Sequence, residues 1–384
     1  TLLITLGAVL ITTKGPGAAE VKDVYTRALE LCSYLPESPL HFAAFWGQWR
    51  ISGSEREARE LADKLLDLAQ RQKDTDLLLQ AQHAQWPTLF CLGELVACRE
   101  HIKAGVALYN PREHRSHASL YGGHDTKVCC QAHDAVVLWL LGFPEQALEH
   151  ADDATTLARQ LHHSASLAHA LDYDLMLSQC LREPREVVER AEKAISLSTE
   201  QDFPDYLARA LVFRGWALAQ LGEKERGIAD IREGIASQRD TGTREDFPIF
   251  LDMLAEACGV IARPAEAKSV LDEALTMADD SNRRHWEAEL HRHKGELLLS
   301  VSDENDSEAK TCFRKAIDIA RLQSAKSLEL RAAMSLARLK QRQGRRRKAH
   351  DGLAPVYAWF TEGFDTNDLK EAKALLEELC TVQV

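Results

Sequence analysis

Apolar positions along this chain recur at three- and four-residue steps, which is the period of an amphipathic helix. Residues 204 to 221 show it with Leu207, Leu211, Trp216, Leu218 and Leu221. No stretch alternates with period two, so strands are not expected. The helical stretches are interrupted at short breaks: Gly15-Pro16, Gly53-Ser54, Gly93-Glu94, Gly142-Phe143-Pro144, Glu183-Pro184, Gly222-Glu223, Arg263-Pro264, Ser302 to Asp306 and Gly344-Arg345. These breaks fall about 41 residues apart. Glycine ends a helix because it takes the left-handed conformation at little cost, and proline is tolerated in the first turn of the next. Ser54 followed by Glu57 has the spacing of a capping box.

A break inside each period predicts antiparallel helix pairs near 2–34, 39–71, 75–110, 126–161, 164–199, 204–240, 247–279, 283–323 and 326–360. A capping helix is expected over 366–381, with Leu369, Ala372, Leu375, Leu376 and Leu379 on its apolar face. One pair cannot bury its apolar stripe alone, whereas stacked pairs share a continuous core. The expected fold is an all-α, right-handed superhelical solenoid forming a single array over 1–384.

The unit resembles the tetratricopeptide family. In that pattern a small residue sits midway along the first helix and A-x3-F-x2-A lies on the second. Gly295 with Ala309, Phe313 and Ala316 matches it, and Gly215 with Gly222, Gly227 and Ile231 matches more loosely. A wider resemblance rests on Leu10-Ile11-Thr12-Thr13-Lys14-Gly15, Leu120-Tyr121-Gly122-Gly123-His124-Asp125, Arg214-Gly215-Trp216-Ala217-Leu218-Ala219, Ala325-Lys326-Ser327-Leu328-Glu329-Leu330-Arg331 and the run from Pro355 to Thr366. These stretches look like the C-terminal repeat arm of bacterial adenylate/guanylate cyclase–ATPase signalling proteins. The resemblance implies a regulatory or partner-binding role and transfers no catalytic residue. The start at Thr1, without methionine and directly in an apolar run, fits a segment of a longer polypeptide.

Composition narrows the function classes. With 45% hydrophobic and 28% charged residues the chain is foldable, and its 20 glycines and 11 prolines are too few for a turn-rich β protein. The net charge of −12 argues against a general nucleic-acid surface. Residues 326–350 run the other way, with nine Lys or Arg against Glu329. A solvated turn facing the acidic remainder is the expected reading of that stretch. The opening apolar run is too short for a bilayer and lacks a basic flank, so a cytoplasmic location without membrane contact is expected. Nine cysteines with no CxxC read as reduced, mostly buried thiols.

No GxxxxGK[ST], GxSxG or HExxH is present, so no enzyme activity and no cofactor are assigned to this segment. The densest polar cluster lies in the long break before the fourth pair: His114, His117, His124, Asp125, Cys129, Cys130 and His133. Imidazoles and thiolates can bind zinc, but this spacing is irregular and Cys129 and Cys130 are adjacent, so no metal ligand is assigned. The same stretch reads as a loop turning at Tyr121-Gly122-Gly123, with His124 or Asp125 capping the next helix. His162-His163 and His291-x-His293 are expected at the surface. Most tryptophans are expected between helices, a minority lining a groove. Tyr121, His124, Asp125, His133 and Trp139 are the candidate ligand- or partner-binding residues. The expected function is a non-catalytic interaction arm whose concave face, lined by the first helix of each pair, holds a protein or peptide partner or a neighbouring domain. The alternative is a sensor binding a metabolite inside the superhelix near residues 120–140.

Overall fold

The computed structural model describes residues 2–34, 38–243, 246–260 and 263–380. Nineteen α-helices and two short 3-10 turns, with no strand, make up the regular structure among these described residues. The helices pair in chain order. The first two pairs are α1 (Leu2–Lys14) with α2 (Ala19–Cys32) and α3 (Pro39–Arg50) with α4 (Glu55–Gln72). Then come α5 (Thr75–Cys91) with α6 (Leu95–Leu108), α7 (Thr126–Leu141) with α8 (Pro144–Leu161), and α9 (Ser164–Cys180) with α10 (Pro184–Glu200). The sixth to ninth are α11 (Pro204–Gln220) with α12 (Lys224–Thr241), α13 (Phe247–Val260) with α14 (Pro264–Ser281), α15 (Glu287–Val301) with α16 (Asp306–Leu322), and α17 (Lys326–Arg342) with α18 (Arg346–Tyr357). Helix α19 (Asn367–Cys380) covers the last pair, burying Leu369, Ala372, Leu375 and Leu379 against it. Thr381, the expected last residue of that helix, lies outside the described residues.

Small residues set how closely the helices approach. A Cβ at Gly295 would lie 2.5 Å from the Phe313 ring, so the glycine makes room for that phenylalanine. A Cβ at Gly215 would lie 2.4 Å from the Gly227 carbonyl, which brings α11 and α12 into backbone contact. The Ser54 cap is half of the expected box. Its Oγ accepts from the Glu57 amide, while the Glu57 carboxylate reaches the Gly53 amide. Several helices end without glycine: Lys73, His162 and Asn282 hold the left-handed cap at φ 53°, 49° and 60°. Pro87 lies inside α5, which continues past it.

First and second helices bury differently. The first helix of a middle pair, such as α7, is buried on nearly every face. Second helices such as α4 and α10 bury one alanine-rich stripe and expose the rest. The first helices therefore line the inside of the superhelix.

The superhelix is tight enough for successive turns to touch, each pair meeting the one five places along. Gly17 and Gly242 approach so closely that a Cβ on Gly17 would lie 2.0 Å from the Gly242 carbonyl carbon. Arg283 pairs with Glu55 at 2.9 Å. The Arg284 amide donates to the Cys91 carbonyl at 2.6 Å. Glu362 accepts from the Glu145 amide, and Asn367 donates to the Leu181 carbonyl. These contacts bridge successive turns of the superhelix and narrow the groove inside it. No helix among the described residues is long and apolar enough to cross a membrane.

Candidate functional site

The closure leaves a cavity of about 480 Å³ inside the superhelix. Helices α3, α5, α7, α9 and α11 supply its wall, and the turns around Gly17 and Gly242 form part of its rim. Trp49 stands at one side, its indole N–H donating to Thr88 Oγ1 at 2.8 Å. His83 stacks on Trp86 at 4.8 Å and reaches the Cys129 sulfur at 3.3 Å. His124 and His169 stack face to face, centroids 4.1 Å apart and planes within 5°. His133 meets the Tyr173 hydroxyl at 2.6 Å.

The adjoining part of the wall is ionic. Arg209 of α11 is 4% exposed and reaches two carboxylates. Its Nε and Nη2 grip Asp172 of α9 at 2.8 and 2.7 Å, and its Nη1 reaches Asp246 at 2.5 Å. Burial opposes the charge of Arg209, but the two aspartates more than offset this and hold it firmly protonated. Burial drives the other way at the imidazoles. His83 is held well below the ordinary histidine value by burial and by His124, His133 and Arg50, and His169 likewise by burial and its histidine neighbours. Both rings are neutral at pH 7. The site thus offers neutral imidazoles, a thiol and two phenols beside an ion triad. It can hold a small polar or aromatic molecule, or a soft metal ion.

Of the five candidates from the sequence, His124 and His133 line this cavity. Tyr121 does not. It is buried in the N-terminal core, edge-on to Trp46 at 5.4 Å and beside Phe42. Asp125 is a buried helix cap: Lys127 and Val128 amides and the Tyr109 hydroxyl donate to its carboxylate. Trp139 sits deeper, against Trp286 and under the Arg331 guanidinium at 4.8 Å, away from the main cavity. The long break is ordered, because His114 and His117 anchor it to α5 through Asp76 and Gln80. His293, expected at the surface, is instead paired with buried Asp252 at 2.7 Å, and His291 is 9% exposed. His163 is the N-cap of α9, its ring accepting from the Ser166 amide. Seven of the nine cysteines are buried, and all nine are free thiols.

Reasoning from the loop alone missed His83, His169, Asp172, Tyr206 and Arg209. They carry a signal one period long. His133 to Tyr173 is 40 residues, and Asp172 to Arg209 and Arg209 to Asp246 are 37 each. Equivalent positions on consecutive first helices face one another, so polar partners recur at roughly the repeat length. The ladder continues beyond the cavity through Asp252 with Trp286 and His293, and through Glu289, Arg331 and Asp368.

No family model matches this chain. A curated relative, an uncharacterized protein of Rhizobium meliloti (strain 1021), is 27% identical over 339 residues. That match covers 88% of this chain, which spans about a third (33%) of the relative's length. Among solved structures, a Rap protein complexed with Competence and Sporulation Factor superposes with a TM-score of 0.63 at 10% identity, covering 98% of both chains. The apo form of the quorum sensor NprR from B. thuringiensis gives 0.51 at 12% identity, covering 92% of this chain and 96% of that one. These likenesses place the fold among the TPR-like helical-repeat proteins.

Proposed function

We propose that this chain is a non-catalytic regulatory arm of a longer cytoplasmic signalling protein, and that it senses a small polar ligand in the central cavity. The central cavity carries the reading. Its volume lies in the range of pockets that bury one small molecule, about 300–1,000 Å³, and is too small for a folded partner. Its wall is drawn from five successive pairs, and the contact between the first and sixth pairs forms part of its rim. A ligand bridging those helices would favour one pitch of the superhelix, and a change in pitch is what an attached module can read. The cyclase–ATPase setting is part of the proposal. Its support is the likeness of the sequence stretches quoted above and a relative about three times as long.

A protein or peptide partner is the second reading, and the Rap protein solved with Competence and Sporulation Factor favours it. Thermal-shift screening of the purified chain against a metabolite library separates the two. The first reading expects a dose-dependent stabilisation by one compound class that Tyr206→Phe or His124→Gln weakens. No stabilisation across the library, with a partner captured by the same chain, would set the first reading aside in favour of the second.

A further inference from the structure

Five donor side chains gather around Cys129 in the cavity wall. Two groups share a single sulfur: His83, His124 and Cys129 form one, and Cys129, His133 and His169 the other. Within each group the ligating atoms lie within 4.8 Å of one another, and all five residues are buried. Cys129 Sγ is 3.3 Å from His83 Nε2 and 3.5 Å from His133 Nδ1, which also faces the Cys129 carbonyl at 3.1 Å. In a tetrahedral site with Zn–N near 2.0–2.1 Å and Zn–S near 2.3 Å, neighbouring donors stand about 3.3–3.6 Å apart. The separations around this sulfur already have that size.

The surroundings also set the rings. The Gln80 amide nitrogen faces Thr126 Oγ1 at 2.9 Å and His117 Nδ1 at 3.0 Å, so its oxygen is turned to His83 Nδ1 at 3.1 Å. That oxygen accepts the Nδ1 proton, which leaves the Nε2 lone pair directed at Cys129. A carbonyl fixing the far nitrogen of a ligating imidazole is the usual outer support of a metal histidine. The Tyr206 hydroxyl meets His169 Nδ1 at 3.4 Å, and His169 Nε2 is buried with no hydrogen-bond partner.

We propose that Cys129, with His83, His124 and the flanking His133 and His169, binds one Zn²⁺ ion in the wall of the central cavity. The donor set is thiolate and imidazole without carboxylate, which selects a borderline or soft ion over Mg²⁺ or Ca²⁺. Either group holds the single ion through the sulfur that both share. Binding transfers the Cys129 thiol proton to solvent, so one proton leaves per ion and the centre carries one net positive charge. Because the five residues line the cavity, the ion is reached from it, and four of the five donors suffice for a tetrahedral site. The metal site does not depend on the small-ligand reading.

The test is a titration of the purified, chelator-treated chain with Zn²⁺ alone, and with Co²⁺ as a spectroscopic stand-in. A Cys380→Ser background removes the exposed thiol. One equivalent of Zn²⁺ is expected, with release of one proton at a pH where the free thiol is protonated. Co²⁺ is expected to give the charge-transfer band of a cobalt–thiolate bond and visible bands of tetrahedral geometry. Cys129→Ser should abolish the thiolate band, and His83→Gln should weaken binding at least about tenfold, in line with losses seen when supporting groups alone are changed. Cys130→Ser, altering the adjacent thiol, should leave both unchanged. Circular dichroism on each variant keeps misfolding apart from lost ligation. No stoichiometric binding by the folded chain, or a thiolate band that survives Cys129→Ser, overturns the proposal. Metal binding without any metabolite response would support this site while counting against the small-ligand reading.

Discussion

Replacing Arg209 by methionine tests whether the ionic wall of the cavity holds the middle of the array together. The guanidinium joins α9 to the start of α13 from its seat on α11, using three N–H groups on Asp172 and Asp246. Methionine keeps most of the stem's packing and removes only the charge and its hydrogen bonds. Two buried carboxylates, Asp172 at 5% exposed and Asp246 at 7%, would then lose their shared cation. Removing one partner of a buried ion pair typically costs about 3–5 kcal/mol, because the remaining charge is stranded away from water. The lower end applies here, since Asp246 sits at the cavity rim and retains some access to solvent. Urea unfolding followed by circular dichroism, together with hydrogen exchange in α9, α11 and α13, reads the effect. The expected result is a stability loss of about 3 kcal/mol with exchange rising first in those three helices. Adding Asp172→Asn and Asp246→Asn to Arg209→Met should restore much of the loss, because replacing a whole buried ionic group is often near neutral. A loss under about 1 kcal/mol for Arg209→Met, or no recovery in the triple variant, would refute the argument.

Gly17→Val should drive a side chain into the Gly242 backbone, cost about 1–3 kcal/mol as overpacking does, and raise exchange in α1 and α2. An unchanged exchange pattern would mean that the first and sixth pairs are not held in contact. The pH dependence of stability should carry the mark of His293. Burial alone would lower its pKa, but Asp252 overcomes this and pushes it up to about 9. Its contribution is therefore complete below the unfolded value near 6.5 and declines as pH rises to about 9, at no more than about 1.4 kcal/mol per pH unit. His285 acts at the other end: burial lowers its pKa to about 4, so its contribution is lost as pH falls from about 6.5 towards 4. His293→Gln should flatten the alkaline limb and leave the acid limb in place. Arg345→Gln with Arg347→Gln should change stability by less than about 0.5 kcal/mol and leave ligand binding unaltered, because Arg345 is exposed and the Arg347 side chain is 96% exposed.

The helices, their pairing and the small residues that let them pack were legible in the sequence, because each depends on neighbours within one repeat. Gly295 opposite Phe313 and Gly215 opposite Gly227 are separated by less than one period, and both contacts follow from helical spacing and residue size. The candidate site was legible only in part. His124 and His133 stood out as a local cluster and do reach the cavity, whereas Asp125 stood out equally and is a helix cap. A dense polar stretch marks where groups gather along the chain, but not which way each one faces. His83, His169 and Arg209 come from three other pairs, and they converge because consecutive first helices present equivalent positions to the same interior.

Closure of the superhelix was decided only in three dimensions. Each pair turns by a small angle relative to the last, and no local pattern states that angle. Summed over five pairs it brings Gly17 to Gly242 and Cys91 to Arg284, more than 190 residues apart in the second case (positions 91 and 284). Periodicity within the chain thus determined a stack of amphipathic helix pairs. The accumulated rotation between pairs, fixed by side-chain packing at every interface, determined that the stack encloses a cavity and which residues face into it.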